Sequence, residues 1–196
     1  MAKKLPVISL DDVRSTMPGL RQETLSRWNR SGKVIMVAPG YYVLPGEISD
    51  ETDLFAIAGR MYTPSFVSLE SALSFHGLIP ETVLSVTSVC TRKTRHINSP
   101  LCSFIYRSIQ PQYFFGYEAK TGRKHKYLMA SPGRAVVDLF YLRRDISSAE
   151  DMMELRFDSE TFSGLDPMEI LDMAERFNKP WLTGKVKVLL EVMKNA

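Results

Sequence analysis

The chain has 196 residues, of which 44% are apolar and 24% charged, and a formal net charge of +3. That mix suits a globular protein of one medium or two small domains and excludes a disordered or collagen-like chain. No apolar run approaches the roughly 18–20 residues that span a bilayer, and the lysines near the start precede no apolar leader stretch. Two cysteines, Cys90 and Cys102, are too few for a disulfide framework. A cytoplasmic protein with reduced thiols and no membrane partner is expected.

The first 46 residues read as one small unit. Pro6, Val7 and Ile8 suit a short strand or arm, and Ser9 stands at a helix N-cap with Asp11 and Asp12 in the first turn, where the helix dipole favours negative charge. Leu10, Val13 and Met17 recur at helical spacing until Pro18-Gly19. A second helix is expected over 22–31, with Leu25 and Trp28 on its buried face and Gly32 ending it. Residues 33–37 and 41–44 read as short strands joined by Ala38-Pro39-Gly40, and Pro45-Gly46 marks a domain boundary. Helix, turn, helix and hairpin follow the order of a winged helix-turn-helix. The first of the usual three helices is absent, unless 6–8 replaces it as a strand paired with the wing. The outward face of the second helix carries Thr24, Arg27, Asn29, Arg30 and Ser31, with Arg21 before it and Lys33 after it. These side chains reach base edges and phosphates of double-stranded DNA. The plainer alternative is a solvated face with Glu23 and Arg27 as an i,i+4 ion pair.

Residues 47–196 contain no second linker and are expected to form the larger domain. The expected class is α+β: an N-terminal winged helix-turn-helix over 1–46, then an α+β domain with an antiparallel sheet and C-terminal helices. A helix over 53–61 would carry Leu54, Ile57, Ala58 and Met61 on one face, and Ser68 would cap a helix over 68–75 ended by Gly77. Stretches 83–90, 102–109, 112–117 and 126–130 are rich in β-branched and aromatic residues and read as strands. Ser131-Pro132 opens a helix through Leu142, and Asp166-Pro167-Met168-Glu169 opens another. The last helix is expected over 185–193, with Val186, Leu189, Leu190 and Met193 as its apolar stripe.

Charge is segregated along the chain: +4 over 1–46, −5 over 47–91, +7 over 92–126, +2 over 127–144, −9 over 145–175 and +4 over 176–196. Such alternation fits a nucleic acid or an acidic protein as partner, although surface charge also clusters by chance. Within the +7 block, Arg92, Lys93, Arg95 and His96 follow one expected strand, and Arg123, Lys124, His125 and Lys126 precede another, with Arg107 between. Both clusters are expected in loops of the sheet, as a toxin- or nucleic-acid-binding surface. The interleaved Phe104, Tyr106, Tyr113, Phe114, Phe115, Tyr117 and Tyr127 either stack on bases or alternate into the core.

Motifs for chemistry are missing: the chain has no GxGxxG, P-loop, GxSxG, HExxH or CxxC. His76, before the helix-stopping Gly77, reads as a partner for the last carbonyls of its helix. Asp138 reads as a structural partner for an arginine, with a lone catalytic carboxylate as the alternative. Cys90 and Cys102 read as small hydrophobes. No catalytic residue, metal site, cofactor or enzymatic activity is expected.

Three stretches together resemble the AbiEi family of abortive-infection antitoxins. Leu25-Ser-Arg-Trp-Asn-Arg-Ser-Gly32 running into Ala38-Pro-Gly-Tyr-Tyr-Val-Leu-Pro45 is similar to that family's winged helix and wing end. Pro64-Ser-Phe-Val-Ser-Leu-Glu-Ser-Ala-Leu-Ser-Phe-His-Gly-Leu-Ile-Pro80, followed by Val86-Thr-Ser-Val89, is the most specific part. Ser131-Pro-Gly-Arg-Ala-Val-Val-Asp-Leu139 is the third, with Gly133-Arg134 where the family shows a Glu-Lys-Ala-type opening. The resemblance spans about residues 5–145. It implies an autorepressor that binds inverted repeats in its own promoter, as a homo-oligomer on DNA, and an antitoxin domain acting against a nucleotidyltransferase-like toxin, with or without direct contact. Two other readings stay open: a stand-alone transcription factor whose second domain senses a ligand or dimerises, and a nucleic-acid-processing enzyme.

Overall fold

The computed structural model describes residues 6–80 and 84–195; the leading residues 1–5 and the expected strand start at Val83 lie outside the described residues. Ile8–Ser9 (β1) runs directly into Leu10–Thr16 (α1), whose start is fixed by a reciprocal cap: Ser9 Oγ accepts from the Asp12 N–H while the Asp12 carboxylate accepts from the Ser9 N–H. Gln22–Arg30 (α2), Ile35–Ala38 (β2) and Tyr41–Val43 (β3) follow. The strands form an antiparallel sheet in the order β1-β3-β2, so the arm does pair with the hairpin, Ile8 opposite Tyr42. Gly40, at φ +82, supplies the left-handed turn residue between β2 and β3. Leu25, Val34 and Tyr42 form a small core, with Leu10, Val13, Leu20 and Trp28 packed on it. Met17, expected on that face, lies just past the end of α1 and is 52% exposed.

This unit is docked on the rest of the chain. Val7, Val37, Ala38 and Val43 belong to the larger apolar core. Arg60 donates Nε to the Val7 carbonyl at 3.1 Å and Nη2 to both Asp12 oxygens at 2.7 and 2.8 Å. Burial works against the Asp12 charge, yet the bonds from Arg60 and Ser9 hold its carboxyl below the ordinary aspartate range.

The remaining elements in chain order are Glu51–Met61 (α3), Ser65–Val67 (β4), Leu69–Phe75 (α4), Ser85–Cys90 (β5), Arg95–Asn98 (β6), Ser103–Ser108 (β7), a 3-10 turn at Pro111–Tyr113, Tyr117–Thr121 (β8), Lys126–Ala130 (β9), Pro132–Leu142 (α5), Ala149–Glu154 (α6), Ser159–Ser163 (α7), Pro167–Glu175 (α8) and Pro180–Lys194 (α9). The fold is mixed α+β. Its second sheet has the order β6-β7-β5-β4-β9-β8, with α3, α4 and α5 packed on it and α8 and α9 on α5.

This sheet is mixed rather than antiparallel, which corrects the expectation: β5 pairs with β7, and β4 with β9, in parallel. The cause is two unforeseen strands. β6, from the polar stretch Arg-His-Ile-Asn, forms a hairpin with β7 and turns β7 parallel to β5. β4, only three residues long, sits mid-sheet between β5 and β9. The expected strand at 112–117 is instead a turn opened by Pro111, which lacks the N–H a ladder needs, and pairing resumes at Tyr117. Its aromatics serve the core, Tyr113 stacking on Phe177 at 4.6 Å.

Beneath the sheet lies a fully buried ion pair. Arg134 Nε donates to Asp138 Oδ2 at 3.0 Å, and Nη2 lies 2.7 Å from Oδ1. Nη2 also donates to the Tyr113 carbonyl, and the guanidinium lies 4.6 and 4.7 Å from the Phe115 and Phe177 ring centres. Ser68 stands at the N-cap of α4 as expected, but its hydroxyl donates to Asp138 at 2.7 Å and makes no cap bond. Burial alone pushes the Asp138 carboxyl up, while Arg134 and Ser68 pull it back. No helix among the described residues is long and apolar enough to cross a membrane.

Candidate nucleic-acid interface

The face of α2 away from Leu25 is open. Arg21, Arg27, Arg30 and Lys33 are exposed, and Thr24 and Asn29 are half-buried. Among the described residues none of these four cations forms an ion pair, and the Glu23–Arg27 pair of the alternative reading is not among the ion pairs present. Arg30 makes only a long 3.5 Å contact to the Ser26 carbonyl. Asn29 has a structural duty as well: its Oδ1 accepts from the Met36 N–H at 2.8 Å and ties α2 to the start of the hairpin. Arg21 occupies the N-cap of α2 without a side-chain cap bond, leaving first-turn N–H groups for solvent or a phosphate oxygen.

The second basic block takes its position from the sheet. Because β4 is antiparallel to β5 and parallel to β9, the β5–β6 turn carrying Arg92 and Lys93 and the β8–β9 hairpin carrying Arg123 and Lys124 leave the same end of the sheet. The N-terminal unit is anchored at that end. β2 contacts β6, and Lys124 Nζ donates to the Glu47 carbonyl at 2.7 Å, just beyond β3. Arg92 and Arg95 lie 4.5 and 5.5 Å from the Tyr62 ring centre, and Tyr62 donates its hydroxyl to the Lys93 carbonyl. Arg123 is beside α3, where the Thr52 hydroxyl first, and Arg123 more remotely, hold the Asp50 carboxyl down.

Two placements depart from the expectation of loops: Arg95 and His96 lie within the edge strand β6, while Lys126 opens β9, the strand expected over 126–130. Arg107, on β7, stands apart: it is half-buried and its Nη2 contacts the Leu142 carbonyl at 3.4 Å. Of the interleaved aromatics, Phe104, Tyr106, Tyr113 and Tyr127 are buried, while Phe114, Phe115 and Tyr117 are half-buried.

The acidic stretch occupies the other end of the sheet. Thr161 of α7 adjoins Gly77, Ile170 of α8 adjoins Gly133 and Met173 adjoins Gly116, around the end of β9 and the start of β8. The two basic turns and helices α7 and α8 therefore lie at opposite ends of the sheet, a placement hidden in the sequence because it depends on the parallel pairings. Arg60, which clamps the two parts together, was likewise invisible from local pattern.

The other candidates for chemistry are enclosed. His76 Nε2 lies 2.9 Å from the Ala130 carbonyl of β9, rather than the carbonyls of its own helix, and burial holds its pKa below the ordinary imidazole value. Burial pushes the Cys102 thiol up to about 11. Among the described residues no three His, Cys, Asp or Glu side chains cluster as metal ligands would. No protein-family model matches the sequence, and no curated protein matches it.

Proposed function

We propose that the chain is a DNA-binding transcriptional regulator whose N-terminal unit acts as a winged helix-turn-helix, α2 entering the major groove and β2–β3 serving as the wing. The observation that carries this is the set of exposed cations Arg21, Arg27, Arg30 and Lys33, unpaired among the described residues, on and beside one short helix. Thr24, Arg27 and Arg30 supply base or phosphate contacts, Asn29 offers its amide while holding the hairpin, and Arg21 and Lys33 neutralise phosphates at either end. The two basic turns beside the N-terminal unit support the same reading, because they attract phosphates toward the end of the sheet where that unit is anchored.

The antitoxin role rests on the AbiEi resemblance. In that reading the protein represses its own promoter as a homo-oligomer on inverted repeats, and the body beyond residue 46 counters a nucleotidyltransferase-like toxin. Arg92, Lys93, Arg95, Arg123, Lys124 and Lys126 are the surface offered to the toxin or its substrate. Arg107 is the weakest member, being half-buried.

A reporter driven by the upstream region and a growth assay with the neighbouring gene test both parts. Arg27→Ala with Arg30→Ala is expected to relieve repression while protection persists. Changing Arg92, Lys93, Arg95, Arg123, Lys124 and Lys126 together to Ser is expected to remove protection. Unrelieved repression in the double variant contradicts the DNA reading, and full protection by the six-fold variant contradicts the antitoxin reading.

A further inference from the structure

We infer that the cavity between the N-terminal arm, α3 and the β4–β9 strands binds a small planar anion: a flat ring bearing a phosphate or carboxylate. Its volume of about 480 Å³ falls in the range of small-molecule sites, roughly 300–1,000 Å³. Phe114, Tyr117 and Tyr127 give it aromatic walls, with Tyr117 held in place by stacking on Phe66 at 4.8 Å. Arg60 and Lys126 give it positive charge.

Among the described residues Lys126 is the free cation of the site, whereas Arg60 is ion-paired with Asp12 and keeps one spare donor. Arg60 spends Nε and Nη2 on Val7 and Asp12, and its Nη1 has no partner among the described residues. Lys126 is exposed and makes no ion pair among them. Ser65, another wall residue, is 4% exposed, and its hydroxyl finds no hydrogen-bond partner.

Gly59 lines the same cavity from within α3. A glycine there costs a helix about 0.5–1 kcal/mol relative to alanine. No close packing requires it, because a Cβ at Gly59 would meet nothing within 4 Å. What the missing side chain preserves is open volume. A ring between the aromatic walls with its anionic group toward Arg60 and Lys126 uses every one of these features. A neutral ring leaves Lys126 and the spare Nη1 donor of Arg60 unanswered, and a bare anion leaves the rings unanswered. The site stands whether or not α2 reads DNA.

Calorimetric titration of the full chain tests this, with adenosine monophosphate and uridine monophosphate as nucleotide probes and benzoate as the aromatic carboxylate. Adenosine and inorganic phosphate are the controls. At least one ring-bearing anion is expected to bind with Kd below about 1 mM, and both controls about tenfold more weakly. Nucleotide or benzoate preference then identifies the source of the anion. Gly59→Phe should abolish binding with the circular dichroism spectrum retained, and Lys126→Ala, at an exposed position, should weaken it about fivefold. The inference is overturned by no binding of any anion at about 5 mM, by controls that bind equally well, or by unchanged affinity in Lys126→Ala or folded Gly59→Phe.

Discussion

Arg134 and Asp138 show how far a single pair of residues can govern this fold. Both are fully buried, so removing one charge strands the other in a low-dielectric interior. Asp138→Asn should therefore cost about 3–5 kcal/mol in urea unfolding, and replacing both residues by Met and Leu should recover most of the loss. Breaking the exposed pair Arg143–Asp145, with side chains 42% and 63% accessible, should leave the urea midpoint nearly unchanged in the same measurement. His76 sets a pH dependence. Its folded pKa lies below the ordinary 6.5 because burial disfavours the imidazolium, so the unfolded chain binds more protons in mild acid. Stability present above pH 6.5 is then lost as the pH falls toward the folded value, and His76→Gln should flatten that part of the profile. The structural role of Asp138 was legible in the sequence, because an arginine stands four residues before it on a helix. The bond of His76 to Ala130 was not, since it joins residues 54 apart.

At the level of elements, the clearest signals were caps and turns. Ser9, Ser131 and Asp166 each cap the helix expected of them, and Gly40 makes the hairpin turn. Short strands without alternation were opaque: β4 is buried at all three positions, so no period-two pattern exists to read. The turn entering β8 offers an element-scale test. Gly116 sits at φ +71, and a Cβ there would lie 2.7 Å from the Met173 sulfur and 3.1 Å from Arg134 Cδ. Gly116→Ala should thus destabilise by about 2 kcal/mol or more, from backbone strain and overpacking together. Gly59→Ala should do the opposite, raising stability by about 0.5–1 kcal/mol in the same denaturant series, because α3 has room for the methyl group.

For the whole molecule, the arrangement of charge matters more than its total. A net +3 says little, but the sheet carries the two basic turns to the end that anchors the N-terminal unit and leaves α7 and α8 at the other. The order of elements in the first 46 residues was legible in the sequence, and so was the charge on α2. Their docking was not, because Val7, Val37 and Val43 bury against residues far along the chain. Deleting the unit would bare that surface, so point substitutions are the sound way to probe DNA binding. The most direct measurement is the salt dependence of affinity for the upstream promoter, by fluorescence anisotropy, for the full chain and for Arg27→Ala and Arg30→Ala. If α2 lies against the duplex, each substitution should weaken binding and reduce the slope of log K against log salt by about one for each phosphate no longer neutralised. Affinity and slope unchanged in both variants would place these arginines on a solvated face and contradict the DNA-binding reading.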